Sequence, residues 1–564
     1  MKRFICFFTV VTTSIFLISA QEALKSTEEE YYDFLSLTGL TKRPTLGYRT
    51  LSDSEWIFNT DEEGNTLEDS DENIWKENNL GKKRTIWQQD SQKENWFTRG
   101  IDRSIQFKIY GPEWYNSYNT AAPYGQNDGA LWQGKGYNTS LTAGARLEGF
   151  GFEVTVKPQV SFSQNKSFEL MPAVSDSEYS YFQSGIDLPQ RFGDDSFWTF
   201  DWGDTEIRYT WKNLTAGFGT QSPWLGPAWL NPMLGSNNAA TYPKVDLGLR
   251  KTAVHLPWLG WYIGDVEGRI WVGRLEESDY FDNNSDNDYR LLNGISLSFA
   301  PAFIPGLTVG VNRIFLTDWA VHNLKYIGRL FTLSRSNGSQ VGTGEDEDQK
   351  VALFADWKFD KVGAEFYGEI GFDDFSPDQK SDFFRTAVYT AGVKQSIPIL
   401  QCVQKYLGNL RSEFIFEWNN FEMSQDYQLD FITYTGFYSH GLISQGYTQK
   451  GQILGAGTGY HGNSIFVNYR FFYKYGMISF FYQRFCPDNN YIYNKAINAT
   501  ADDVHDEYFI KNKAYRTYGF EVSHYITHTF CIMGNFTRIL IHRPLYNDRN
   551  IYCYAFKIAG KFQL

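Results

Sequence analysis

Three stretches of the chain set rings, amides and acids between glycines and prolines. The first is WYNSYNTAAPYGQNDGALWQGKG (114–136), with Asp128, Trp132, Gln133 and Lys135 close together. The second is GTQSPWLGPAWLNPM (219–233), which carries Gln221 and holds Trp224 and Trp229 among Pro223, Gly226, Pro227 and Pro232. The third is GSNNAATYPKVDLGL (235–249), with Asn237 and Asn238. An indole fixed in a turn offers its face to the apolar C–H patch of a pyranose, while amides and carboxylates take the hydroxyls. Sugar binding is the chemistry these residues fit. The competing reading is that the rings fill a core or pin loops at an interface.

Signals for other chemistry are thin. His524 and His528 in HYITH lie on or beside a strand, four residues apart, with no third ligand in view. GTGYHG (457–462) fits G-x-G-x-x-G but lacks the strand–turn–helix setting that makes such glycines hold phosphate. DNNSDND (282–288) alternates Asp282, Asn284, Asp286 and Asp288, without the turn glycine and closing glutamate of a calcium loop. A solvated acidic loop is the plainer reading, with weak divalent-ion binding as the sharper one. Neither G-x-S-x-G nor H-E-x-x-H occurs. We therefore expect a non-enzymatic protein with no catalytic residue, no metal and no cofactor. A barrel enzyme that assembles its residues from distant strands stays open as an alternative.

The elements that must position these residues begin after a leader. MKRFICFFTVVTTSIFLISA has a basic start, a short apolar run and small residues at its end, so residues 1–20 read as a secretory signal peptide. No lipobox cysteine stands at the cut. The formal net charge is −13, and it becomes more negative once Lys2 and Arg3 leave, which argues against nucleic acid as a partner. Cys402, Cys486, Cys531 and Cys553 are too scattered for a metal site or a disulfide scaffold. Aromatic residues make up 18% of the chain, yet mean hydropathy is negative. Rings are used here as surface belts as well as core.

From residue 101 onward the pattern has a period of two. In GFEVTVKPQVSF, Phe152, Val154, Val156 and Val160 oppose Glu153, Thr155, Lys157 and Gln159. In IRYTWK, Ile207, Tyr209 and Trp211 oppose Arg208, Thr210 and Lys212. VALFADWKFDKVGAEFYGEIGF reads as a hairpin turning at Asp360–Lys361, with Leu353, Ala355 and Trp357 continued by Ala364, Phe366 and Ile370. SIFVNYRFFYKYGMISFFYQRF turns near Tyr475–Gly476. In YCYAFKIAGKFQL, Tyr552, Tyr554, Phe556, Ile558, Phe562 and Leu564 oppose Lys557, Lys561 and Gln563. Some connections are a few residues long. Others are long and acidic, such as 276–290, 334–350 and 486–513.

That asymmetry describes an outer-membrane barrel. No candidate for a membrane-spanning helix remains after the leader, and lipid tolerates only helices and closed barrels, because every backbone amide must be paired. The expected fold is an all-β, transmembrane antiparallel barrel of about 18 strands (16–18) over residues 101–564. A soluble β-sandwich or β-propeller is the alternative. Residues 21–100 are expected to form a periplasmic helical or plug segment. Its helix lies in STEEEYYDFLSLTG, with Ser26 as N-cap, Glu29 as capping-box partner, Gly39 past the end, and Tyr31, Phe34 and Leu35 as its apolar side. Trp56, Trp75, Trp87 and Trp96 argue that the acidic remainder, including TDEEGNTLEDSDEN, docks.

NDGALWQGKG followed by GPAWLN and GSNNAATYP resembles the Wzi family of outer-membrane capsule-assembly proteins, over about residues 100–250. In the family's Trp–Gly–Pro turn the Trp is displaced here: Leu225 directly precedes Gly226, and Trp224 stands one earlier. Only barrel patterning supports the resemblance in the C-terminal half. The resemblance implies an eighteen-stranded barrel closed at its periplasmic end by an N-terminal helical element. It implies a surface lectin that holds capsular or other surface polysaccharide, with Asp128, Trp132, Gln133, Lys135, Gln221, Trp224, Trp229, Asn237 and Asn238 as contacts or their frame. Its partners would be that polymer, outer-membrane lipid and the machinery that inserts barrels. The acidic loops depart from what an acidic capsule needs, which leaves a neutral polymer, a polymer bound through cations, or a diverged role. Lumen-facing Lys157, Arg208, Arg470 and Lys561 against Glu153, Glu365 and Glu369 give no net field. A porin or substrate-specific diffusion channel is the second reading of function.

Overall fold

The computed structural model describes residues 20–21, 26–59, 87–89, 105–171, 177–180, 186–332, 347–373, 387–400, 402–404, 410–422, 424, 436–487, 513–546 and 549–563. The leader apart from Ala20, the TDEEGNTLEDSDEN stretch, Trp75, Trp96, Leu564 and most of the loops 334–350 and 486–513 lie outside these residues. Eighteen antiparallel staves close into one barrel, from Ile105–Asn119 to Asn550–Gln563, which pair with each other across the seam. Two adjacent staves are each in two pieces. Phe152–Val156 and Gln159–Ser163 form one, Phe197–Asp201 and Glu206–Trp211 the next. The break falls at Pro158, which has no N–H to give to a ladder. Opposite it sits Gly203 at φ +56, where a Cβ would meet the Lys157 carbonyl at 2.3 Å.

Side chains alternate as the pattern requires. Phe152, Val156, Val160, Ile207, Tyr209 and Trp211 face outward, while Glu153, Thr155 and Arg208 are buried within. The last stave shows Tyr552, Tyr554, Phe556, Ile558 and Phe562 outward, and Lys561 inward. An outer surface so apolar on staves all round the barrel far exceeds the patches a soluble protein carries, so the sandwich and propeller readings fail. Among the described residues no helix is long and apolar enough to cross a membrane. The first hairpin turns over four residues, Asp360–Gly363, rather than at Asp360–Lys361 alone. The second turns at Lys474–Tyr475. Among the described residues no disulfide joins Cys402, Cys486, Cys531 or Cys553.

The lumen is filled from both ends. At the short-turn end lies a helix, α1 (Thr27–Leu37). Ser26 Oγ accepts from the Glu29 amide at 3.2 Å, as a cap should. Tyr31, Phe34 and Leu35 pack on Phe472, Met477, Tyr525 and Cys531 of the wall. The opposite side of the helix is buried too, because the wall facing it is ionic. Glu28 meets Lys561 at 2.8 Å, Glu30 meets Arg470 at 2.8 Å, and Asp33 meets Lys394 at 2.8 Å. Arg43, just beyond the helix, joins Asp33, Asp356 and Glu365. Burial opposes ionisation of Asp33, but Arg43 and Lys394 hold its carboxyl well below the usual range. Trp56 is buried against Tyr32, with ring centroids 6.2 Å apart. The backbone of Trp87–Gln89 pairs with the start of the first stave. The both-sign lumen residues of the sequence are thus partners: Lys157 with Asp204, Arg208 with Glu206 and Asp246, and Glu153 with Arg146 and Arg250.

At the other end, loops 120–135, 220–243 and 436–462 turn inward. Their residues Leu225, Met233, Leu234, Tyr438, Tyr447 and Leu454 form one core with wall residues Trp271, Leu292, Ile314 and Val388. Trp224–Leu225 pairs with Tyr48–Arg49, so the N-terminal segment reaches this core from below.

Candidate functional site

Buried carboxylates shape the middle loop. Glu417, on the stave Arg411–Asn420, accepts the Trp229, Leu230 and Asn231 amides at 2.7, 3.0 and 2.9 Å, the Asn231 side chain at 2.9 Å and the Tyr367 hydroxyl at 2.8 Å. Glu369 accepts from the Ala228 and Met233 amides at 3.2 and 3.0 Å. A loop full of prolines leaves its remaining amides without a ladder, and the two oxygens of each carboxyl group answer several of them at close range. Asn231 then links the loops, accepting from Gln126 at 2.7 Å and Thr458 at 2.6 Å.

The first loop lies across this platform. Asn238 Oδ1 accepts the Asn127 amide at 3.1 Å, and the Gly129 amide donates to the Asn237 carbonyl at 2.8 Å. Gly129 stands at φ +61 and Asn127 at φ 57, so this turn depends on residues that tolerate the left-handed region. Segment 124–131 separates two cavities. The outer, about 190 Å³, lies toward the long loops. Its polar lining is rich in amides: Gln126, Gln133, Asn238, Gln452 and Gln483. Its rings are Tyr124, Trp132, Phe485 and Tyr515, and Asp128 is its one acid. Burial pushes the Tyr124 phenol up to about 12, so it serves as a neutral donor. The inner cavity, about 510 Å³, runs down to α1 between Glu30, Lys157, Trp229, Arg470 and Lys557.

The nine residues singled out by sequence divide accordingly. Asp128, Trp132, Gln133 and Asn238 line the outer cavity, and Asp128, Trp229 and Asn237 line the inner one. Trp132 packs on Phe192 with centroids 4.8 Å apart, and its buried indole N–H has no partner. Gln133 is committed to Ser117 at 2.6 Å and Tyr115 at 2.8 Å, which makes it frame. Trp229 lies under Arg470, 4.5 Å from ring centroid to guanidinium. Trp224 is fully buried and donates to the Ala228 carbonyl at 2.9 Å, and Gln221 is buried with its Oε1 on the Ser52 amide at 3.0 Å. Both brace the loop and meet neither cavity. Lys135 points away, to the Ser167 carbonyl at 3.0 Å.

Tyr124, Gln126, Gln452 and Gln483 were not singled out. The first two lie inside the quoted stretch 114–136, where an amide next to a glycine was the available signal. The other two come from distant parts of the chain and carry none. The remaining motifs stay apart from the cavities. His524 bonds the Tyr473 hydroxyl on the barrel exterior, and His528 lies in the following turn. Asp282 and Asn284 cap the amides of Asn284 and Asp286, closing successive turns. Among the described residues no group of three or more His, Cys, Asp or Glu could hold a metal.

The family model for capsule assembly protein Wzi matches residues 116–485. The chain belongs to the Wzi family. The match runs well beyond residue 250, where the sequence resemblance thins, and spans the inward loop 436–462. Family, closed barrel and apolar belt together place the protein in the outer membrane. No curated protein matches the chain in sequence. Among solved structures, it resembles Escherichia coli Wzi, described as an outer membrane protein involved in group 1 capsule assembly and a carbohydrate-binding β-barrel. The two share 14% identity over 83% of this chain and 89% of that one, with a TM-score of 0.51. Pseudomonas putida OprB follows at 10% identity, 82% and 94% coverage and a TM-score of 0.36. Acinetobacter baumannii OccAB2 stands at 11%, 81% and 98%, and 0.38.

Proposed function

We propose that this member of the Wzi family is a non-enzymatic lectin that holds capsular or other surface polysaccharide at the cell surface. The observation that carries the reading is the outer cavity: amides from loops far apart in the chain converge there beside the ring of Trp132. Amides and one carboxylate suit sugar hydroxyls, and the ring suits a pyranose face. With Asp128 the one charged side chain among its described lining residues, the cavity favours a neutral stretch of polymer. Residues 21–100 would serve as the periplasmic closure, the barrel would sit among outer-membrane lipid, and the barrel-assembly machinery would insert it.

The filled lumen supports a lectin over a porin. The test reconstitutes the full chain and reads glycan binding and conductance on one sample. We expect binding of purified surface polysaccharide with a silent bilayer. Trp132→Ala with Gln452→Ala should weaken binding about tenfold, roughly 1.4 kcal/mol, and release polymer from cells at normal protein levels. Steady open steps without binding would make it a channel, and release of cleaved product from envelope polymer would make it an enzyme.

A further inference from the structure

The outward face of three adjacent staves, Gly476–Cys486, Ala514–Tyr525 and Phe530–His542, is ordered in registered rows. Phe480, Phe520 and Phe536 form one row. The next row toward the long loops is Tyr482, Tyr518 and Arg538, and the one beyond it is Arg484, Arg516 and Leu540. Phenylalanine, then tyrosine, then arginine marks the passage from hydrocarbon to headgroup. Tyrosine settles at that boundary, and arginine on a lipid face becomes tolerable only near it.

Arg484 is tied to Asn463 at 3.1 Å. Arg538 has its guanidinium 5.6 Å from the Tyr552 ring centroid. No carboxylate among the described residues pairs with Arg516 or Arg538. Together with Tyr518 and Leu540 they line a recess of about 250 Å³ on the barrel's outer wall. A cation facing lipid without a protein counter-charge needs an anion from the membrane. Two planar guanidinium forks set at one recess match the oxygens of a phosphate.

We propose that this recess binds the phosphate of a phosphorylated glycolipid in the outer leaflet. The leaflet follows from the position of the rows, on the long-loop side of the apolar belt, the side that faces outward in such barrels. A glycolipid rather than a diacyl phospholipid follows from the surround. Tyr482, Tyr518, Tyr552 and Tyr554 flank the arginines and offer ring faces and hydroxyls to a sugar headgroup. This site lies outside the lumen, and it stands whether or not the outer cavity binds polymer.

Native mass spectrometry of the detergent-purified full chain tests it with three probes: bisphosphorylated lipid A, the same lipid dephosphorylated, and phosphatidylglycerol. The wild-type protein should retain the phosphorylated glycolipid and prefer it to the other two. Arg516→Gln and Arg538→Gln should weaken retention by about fivefold each, while heat-modifiable migration shows the barrel still folded. Equal retention of phosphorylated and dephosphorylated lipid A by the wild type would overturn the proposal, and needs no variant. So would equal retention by the wild type and the folded double variant, or phosphatidylglycerol binding as well as lipid A.

Discussion

The two ends of the lumen are closed by opposite chemistry. At the short-turn end, α1 and Arg43 are held by paired full charges: Asp33 with Arg43 and Lys394, Glu28 with Lys561, Glu30 with Arg470. At the long-loop end, Glu369 and Glu417 meet no guanidinium or ammonium among the described residues and accept mainly backbone amides. A charge pair fixes where a segment sits but leaves its backbone to itself. A carboxylate taking successive amides fixes the backbone path, which a binding surface needs. The floor is therefore built for position and the roof for shape.

Arg43→Gln should strike hardest, because it strands Asp33, Asp356 and Glu365 with Lys394 alone. Breaking such a buried network costs about 3–5 kcal/mol, so the thermal midpoint should fall and conductance steps should appear. A silent bilayer with an unchanged midpoint would show that the floor is held by its apolar contacts instead. Glu417→Gln should cost about 2 kcal/mol and act on the roof: glycan binding falls while the bilayer stays silent. If both variants open the pore equally, the two ends are one unit. Trp224→Phe removes the bond to Ala228 and should cost about 1 kcal/mol with glycan affinity kept. Trp132→Phe should show the reverse, lower affinity at unchanged stability.

The smallest effect concerns pH at the rim. Burial pushes the Glu277 carboxyl up to about 7, opposed by its bond from Gln445. A carboxyl with a raised folded pKa favours the folded loop at low pH, and that contribution is lost as pH rises through about 7. Protease protection of the loop around Lys450 should weaken as pH rises from about 5 to about 7, between the carboxyl's ordinary and raised values, and level off above. Glu277→Gln should flatten the profile, which limited trypsin digestion can follow.

The wall was legible because lipid and lumen alternate residue by residue: Ile207, Tyr209 and Trp211 against Arg208 state it without help from any distant segment. The cap of α1 was legible for the same local reason, since Ser26 answers an amide three residues on. The environment of its polar side was not. Glu28 and Asp33 read as ordinary solvated acids until Lys561 and Lys394 arrive from the far side of the lumen. The nine candidate residues split on the same principle. A glycine-flanked indole announces a fixed ring, but Trp132 and Trp224 look alike in sequence. Only the fold decides that one lines a cavity and the other braces a loop. Glu417 was invisible, because its partners are amides of a loop nearly two hundred positions earlier and amides leave no mark on composition.

The salt bridge between Glu28 and Lys561 joins α1 to the stave that completes the ring. Plug and closing stave are therefore bound to each other directly, beyond the contacts each makes with the rest of the wall. By thermodynamic linkage, whatever seats the N-terminal segment also favours the closed ring, and whatever closes the ring favours the seated segment.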